Sequence, residues 1–569
     1  MTSDPSRDRP EPGANAMTDR FHAVGEGILD ALLEDAPEWA DDLGDHRFSD
    51  RLADHSSEAD ARRAGVLTDA LGALDEIDDL LLPAADRVDL EMLRNRVSAD
   101  LWQLTELRPQ TWDPLVHLPG DALYGILAGE DLPAEDRLRA ITARCAAVPG
   151  FLATARERLE GGPGMPRVHV ETAIGRAEGI LGLLGDGIDR LAEHVRTPAL
   201  RAGADDARGS AAAALHKHAD WLRSRVETAD ADPRLGARDH AARLWYTLDS
   251  ELSQDALLTR AESDLLATEE AIAEAASDFA GAPPRPGQVR EVLDRIAAGS
   301  ATTEETVRPA CERALEHLLD RARELDFATL PDQPVRVIAM PEARRGMSVA
   351  YCDPPGALSS APERPTLVAV APPPADWPAE RRASFYREYN ADMLRELMVH
   401  EGVPGHALQL AHGARYSGGT RLRRALFSDT FIEGWAVYAE EALHADGWCA
   451  DDPGLNLRMR LVQLKTLLRT IINAILDVRV HAHGMTESEA MSLLVERGHQ
   501  EEGEAAGKWR RARLSSAQLS TYYTGYREVS AIVRDSAAAR PGASRRDLHD
   551  GVLAHGAPAP RHLRTLLGV

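Results

Sequence analysis

The sequence predicts a large, mainly α-helical protein with one small β-sheet set just before its chemistry-bearing segment. Three observations predict it. Ala, Leu, Arg, Asp and Glu dominate while aromatic residues make up only 5%, which favours helix over sheet. Long stretches repeat apolar residues at helical spacing. A cluster of short β-branched runs interrupts that pattern once, after residue 333. A chain of 569 residues exceeds what one small core needs, so two helical lobes around a cleft are expected.

Residues 1–16 are rich in Pro, Asp and Arg and read as a disordered tail. Amphipathic stretches follow at 21–36, 58–82, 86–107, 133–160, 167–196, 207–228, 253–280, 286–299 and 303–325. Pro, Gly and Asp clusters such as Pro283-Pro284 separate them. These make an N-terminal helical region, 17–330. The remainder, 331–569, opens with three strand-like runs at 334–340, 347–352 and 366–371. Helical periodicity then resumes at 378–402, 420–446, 455–483, 486–497 and 515–536. The two regions are read as one intertwined unit.

The net charge of −27 argues against a protein that tracks nucleic-acid phosphates or adheres to anionic lipid. Cys145, Cys311, Cys352 and Cys449 lie far apart with no C-x-x-C pair, so buried reduced thiols are expected rather than a disulfide scaffold. The N-terminus has no apolar core of a secretory signal, and the most apolar run, 461–480, is broken by charged and amide side chains. A cytoplasmic enzyme is the expectation.

The chemistry is concentrated in His400-Glu401-Gly-Val-Pro-Gly-His406. The usual zinc-helix motif places two histidines four apart on one helical face. Here they are six apart, which on a regular helix turns them about 120° from each other. Both can reach one ion only if the helix breaks between them. Gly402, Pro404 and Gly405 supply a reason for such a break. Glu401 continues the apolar stripe of Leu394, Leu397 and Met398, and a carboxylate on such a face requires a partner or a metal.

A catalytic metal site needs a third protein ligand. Leu426, Thr430, Glu433 and Val437 share a face of the next helix, which makes Glu433 the candidate, with Glu440 and Glu441 as alternatives. Glu440 on the same stripe is also a candidate to orient a ligand histidine. Gly434 marks a place where a partner helix can come close. Donors to an oxyanion are sought among Tyr522, Tyr523, Tyr526 and His481, the tyrosines being crowded into STYYTGYRE. Arg479 and Arg527 are read as surface pairs or carboxylate binders. Arg421, Arg423 and Arg424 are read as a solvated helix start, and Tyr351 as a residue of a strand able to pair with an extended substrate.

The strings HEGVPGHALQ and FIEGWAVYAEE resemble the DUF885 family, bacterial proteins regarded as zinc metallopeptidase-like and related in motif logic to the gluzincin peptidases. Residues 36–52, Ala350-Tyr351 with Pro354-Pro355, the block Asp477 to Gly484, and Tyr522-Tyr523-Thr-Gly525 resemble its other blocks. The resemblance implies His400, His406 and Glu433 as zinc ligands, Glu401 as general base, and Tyr522 with His481 as catalytic helpers. Many members carry a second histidine after the one matching His406; here that position is Ala407. The expected activity is zinc-dependent hydrolysis of a peptide or small peptide-like amide, without nucleic-acid or membrane partners. The rival readings are hydrolysis of a non-peptide ester, amide or natural product, a non-hydrolytic iron enzyme, and a metal-free helical binding protein.

Overall fold

Helices fill the stretches of helical periodicity, and their ends fall at proline, glycine or a capping side chain. The computed structural model describes residues 12–129, 131–340, 349–361, 364–374 and 377–569, with only the backbone of 12–14. The chain opens with α1 (Pro12–Asp35), α2 (Pro37–Asp42), α3 (Ser57–Asp75), α4 (Ala84–Trp102) and α5 (Gly120–Ala128). The tail expected through residue 16 is thus corrected, because α1 already begins at Pro12; residues 1–11 lie outside the described part. Ser56 caps α3 by accepting the Ala59 N–H. Next come α6 (Ala134–Glu160), α7 (Arg167–Glu193) and α8 (Pro198–Arg225), packed around Leu138, Ile141, Leu184, Ile188 and Leu215. Then α9 (Gly236–Leu248), α10 (Gln254–Ala280), α11 (Gln288–Gly299) and α12 (Glu304–Glu324) lead to the sheet.

The sheet has three strands, β1 (Val335–Ala339), β2 (Ala350–Asp353) and β3 (Thr366–Val370), in the order β1-β3-β2. All three expected runs form strands, although Met347 and Ser348 of the second lie outside the described residues. β3 pairs parallel to β1 and antiparallel to β2, with Ala350 opposite Val370 and Cys352 opposite Val368. β2 is therefore an edge strand, and it packs beside the helix that carries the His-Glu motif.

Beyond the sheet run α13 (Ala379–Glu388), α14 (Ala391–Glu401), α15 (His406–Ala414), α16 (Leu422–Ala425), α17 (Asp429–Ala445) and α18 (Pro453–His483). The chain closes with α19 (Glu487–Ser492), α20 (Glu502–Leu514), α21 (Gln518–Ala539), α22 (Arg545–Leu553) and α23 (Pro560–Leu567). The single helix expected at 378–402 is two, because Asn390 caps α14 by accepting the Asp392 and Met393 N–H groups. Likewise 420–446 is split between α16 and α17. Helices α2, α5, α9, α15, α20, α22 and α23 have no counterpart in the periodicity. In α20 the reason is plain: its buried face is Ala505, Lys508, Trp509 and Ala512, which makes no apolar stripe.

The core does not divide at residue 330. The largest apolar cluster gathers residues from Leu244 to Leu563, so α9 to α12 join the C-terminal region. A second cluster sets Phe21, Leu29, Leu67 and Leu93 against Leu422 and Leu426, tying the first helices to the segment between the two motif helices. Apolar clusters are thus shared between the residues before and after 330. Among the described residues no helix is long and apolar enough to cross a membrane. The four cysteines are free, and all but half-buried Cys352 are buried.

Candidate metal centre

Helix α14 is held by its buried face of Met393, Leu394, Met398 and Val399, and its last two residues are His400 and Glu401. The helix stops there. Gly402 and Gly405 take ψ values of −120° and −127°, far from helical geometry, and the Val403–Pro404 bond is cis. A Cβ on Gly405 would stand 2.0 Å from the His400 carbonyl oxygen, so the turn closes only around glycine. The Gly405 N–H donates to the Val399 carbonyl at 2.9 Å, and the Trp435 indole N–H ties down the Pro404 carbonyl at 2.9 Å. Helix α15 restarts at His406, and the two imidazoles meet with centroids 4.7 Å apart and planes at 83°. The interruption inferred from the spacing is present, and it does bring the rings together.

Glu433 arrives from α17, on the stripe of buried Thr430 and Val437, while Leu426, expected on the same face, precedes the helix. Its Oε2 lies 3.5 Å from His400 Nε2 and 3.4 Å from His406 Nε2. Ligand atoms of all three residues fall within 4.8 Å of one another. Donors held about 2.1 Å from a tetrahedral zinc stand roughly 3.4 Å apart, so the three side chains fit such an ion. Among the described residues Glu433 Oε2 is buried and makes no hydrogen bond, as befits an oxygen open to a ligand.

Glu440, one of the alternatives for the third ligand, acts behind it instead. Its Oε1 lies 2.7 Å from His400 Nδ1, and its Oε2 accepts the Thr466 hydroxyl at 3.0 Å. A proton on Nδ1, shared with Glu440, leaves Nε2 as the free donor atom. Glu441 is engaged elsewhere, accepting the Tyr526 hydroxyl at 2.8 Å.

The electrostatics follow from crowding in a dry site. Burial works against charge on Glu433, yet the His400 and His406 imidazoles hold its carboxyl well below the usual range. Burial also opposes charge on His400, but Glu433 and Glu440 outweigh it and raise its pKa. Glu401 shifts the other way. Burial raises its pKa, and the two imidazoles and the Cys352 backbone N–H of β2 only partly offset that. Glu396, one turn before His400, is buried, and desolvation followed by Glu440 pushes its carboxyl far up.

A cavity of about 310 Å³ opens onto this cluster, with His400, Glu401 and Tyr522 in its lining. The Tyr522 ring lies 6.5 Å from that of His400, inclined by 23°. Its hydroxyl accepts from Arg511 and Gln518, each at 3.3 Å, and burial followed by Glu433 pushes its pKa up to about 12. Tyr523 and Tyr526 turn away, donating to Asp264 and Glu441. Helix α21 reaches the site because Gly525 and Gly434 bring it against α17 backbone to backbone; a Cβ on Gly525 would stand 1.9 Å from the Thr430 oxygen.

His481, expected as a catalytic helper, is not part of the cavity lining: it is buried, its Nε2 donates to the Ala512 and Ser515 carbonyls at 2.9 and 3.0 Å, and its Nδ1 accepts the Leu235 N–H at 3.3 Å. Arg423 is not solvated but buried against Asp89 and the Ala85 and His555 carbonyls. Arg479 and Arg527 are surface pairs, with Glu262 and Asp264, the first of the two readings given for them. Tyr351 shares a hydrogen bond of 3.0 Å with Tyr124. The cavity also holds Lys508 and Arg511 of α20, which sequence reasoning passed over; the string Lys508-Trp-Arg-Arg-Ala-Arg reads like a solvated face.

Two solved structures share the fold over nearly the whole chain. One is a candidate lipoprotein of unknown function from Shewanella oneidensis, 24% identical with a TM-score of 0.80, covering 96% of this chain and 100% of that one. The other is a candidate lipoprotein from Colwellia psychrerythraea, 15% identical with a TM-score of 0.80, covering 97% and 99%. No curated protein matches the chain. A family model described as "Bacterial protein of unknown function (DUF885)" matches residues 37–567, and over that span, which holds every residue of the centre, the chain belongs to the DUF885 family.

Proposed function

We propose that the protein is a zinc-dependent hydrolase of peptide or peptide-like amide bonds. The observation that carries this reading is the convergence of His400 Nε2, His406 Nε2 and Glu433 Oε2, with Glu401 directly after the first ligand. Zinc held there would polarise a carbonyl and make water acidic near neutral pH. Glu401, its carboxyl raised toward neutrality by burial, takes a proton from the attacking water and passes it to the leaving nitrogen. Water oxygen bonds to the carbonyl carbon, the carbon–nitrogen bond breaks, and the amine leaves protonated. The Tyr522 phenol keeps its proton and is placed to donate to the developing oxyanion.

Pro372, Trp377, Phe385, Met393 and Leu397 give the cavity an apolar lining, which with its modest volume suits short peptides. The reading extends to a two-lobed, metallopeptidase-like architecture around that cavity. The free cysteines suit the cytoplasmic location that completes the proposal.

Elemental analysis joined to a dipeptide and tripeptide cleavage screen tests it. The purified protein should hold about one zinc per chain and cleave at least one peptide. Glu401→Gln should keep the metal and lose turnover by at least about a hundredfold. Absence of bound metal, or full activity in Glu401→Gln, overturns the reading.

A further inference from the structure

Helix α20 brings two basic side chains to the cavity, and neither makes an ion pair among the described residues. Lys508 and Arg511, three residues apart, share one helical face and both line the cavity. Lys508 is only 5% exposed, and its ammonium has no hydrogen bond or ion pair among the described residues. Arg511 donates to Gln518 Oε1 at 2.7 Å and to the Tyr522 hydroxyl at 3.3 Å, both neutral groups. The nearest acid on the helix, Glu504, is committed to Arg469 at 2.5 Å. Buried charges are ordinarily paired, because desolvation is costly. Burial drives the Lys508 pKa far down, Arg469 and Arg511 add to that, and Glu504 and Glu433 only partly offset it; an incoming anion would counter the repulsion between the bases.

The position relative to the metal centre is equally specific. Arg511 touches Tyr522, and the Tyr522 ring faces His400. A substrate with its scissile carbonyl at the centre would reach this wall within a few residues, at about 3.5 Å per residue. Resting on the hydrolase reading, we infer that Lys508 and Arg511 form a subsite for the free C-terminal carboxylate of the substrate. The enzyme is then exo-acting, releasing a short fragment from the carboxyl end of a peptide. Arg511 supplies a planar pair of donors, and Lys508 a point charge in a dry setting.

The test is calorimetric and needs no turnover. Chelator-treated full-length protein is titrated with N-acetyl-alanyl-phenylalanine and with its C-terminal amide. The acid should bind at least about tenfold more tightly than the amide. Lys508→Met and Arg511→Gln should each shrink that ratio toward one with amide affinity unchanged, and Lys508→Arg should restore it. Equal affinities, no binding of either probe, or a ratio that survives in both variants would overturn the subsite; equal affinity is the outcome if the cations only balance the carboxylates of the centre. The two proposals fail separately. Cleavage of acid and amide peptides at equal rates removes the subsite and leaves the hydrolase. An acid preference in a protein that holds no zinc and cleaves nothing removes the hydrolase and leaves a carboxylate-binding cavity.

Discussion

His400 shares its Nδ1 proton with Glu440 Oε1 across 2.7 Å, and the other oxygen of that carboxylate takes the Thr466 hydroxyl at 3.0 Å. The chain Thr466–Glu440–His400 runs from α18 through α17 to α14 and fixes both the tautomer and the direction of the His400 ring.

Glu440→Gln is expected to lower zinc affinity by roughly 10- to 100-fold, measured by competition with a chelator. The circular dichroism spectrum should not change. An unaltered zinc affinity would show that this hydrogen bond does not set the ligand.

Tyr522→Phe is expected to lower kcat by about a hundredfold with little change in KM, since the phenol acts on charge that develops only during the reaction. Tyr523→Phe and Tyr526→Phe should leave turnover near wild type, because those hydroxyls bind Asp264 and Glu441. Steady-state kinetics on any peptide found in the cleavage screen separates the three.

His481 joins the α20–α21 connection to α18 and the start of α9, and its ring lies parallel to His240 at 5.3 Å. His481→Leu should therefore destabilise the fold by about 1–3 kcal/mol in denaturant titration. Zinc content and kcat of the folded fraction should stay unchanged; a loss of kcat alone would return His481 to the catalytic group.

Stability should fall on mild acidification. His218 and His549 are fully buried, and burial holds each pKa at about 4, below the ordinary 6.5. His218 has no partner for either nitrogen, while His549 accepts from the Tyr438 hydroxyl and donates to the Phe327 carbonyl. The folded-state pKa lies below the unfolded value, so between pH 6.5 and 4 the unfolded chain binds the extra protons. The stability is complete above 6.5 and is lost as the pH drops toward 4. At pH 5 each ring costs about 2 kcal/mol. Thermal unfolding at pH 7 and pH 5 should show the loss, and His218→Leu should shrink it by one ring's share.

What the sequence discloses about this site is what lies close together along the chain. His400, Glu401, the glycines of the turn and His406 fall within seven residues, so their spacing alone demands an interruption. Glu433 and Glu440 are legible because each lies on an apolar stripe of one helix. His481 misleads because its partners, at Leu235, Ala512 and Ser515, are distant in sequence and nothing local announces them. Arg423 misleads similarly, its burial being created by Asp89 on α4. Lys508 and Arg511 look like surface charge because α20 owes its buried face to neighbouring helices rather than to an apolar repeat of its own. The strand runs are legible, but not the central place of β3, which depends on pairing across the sheet.

Gly434 and Gly525 let the main chains of α17 and α21 touch without intervening side chains. Glu433 sits next to that point of contact on one helix, and Tyr522 three residues before it on the other. Side chains can creep between rotamers, but peptide groups in van der Waals contact have nowhere to slide. The spacing between the Glu433 carboxylate and the Tyr522 phenol is thus set like a gauge block, by covalent dimensions. Loading an ion or a substrate should leave that spacing unchanged, so adjustments on binding must come from the β2 and α20 sides of the cavity.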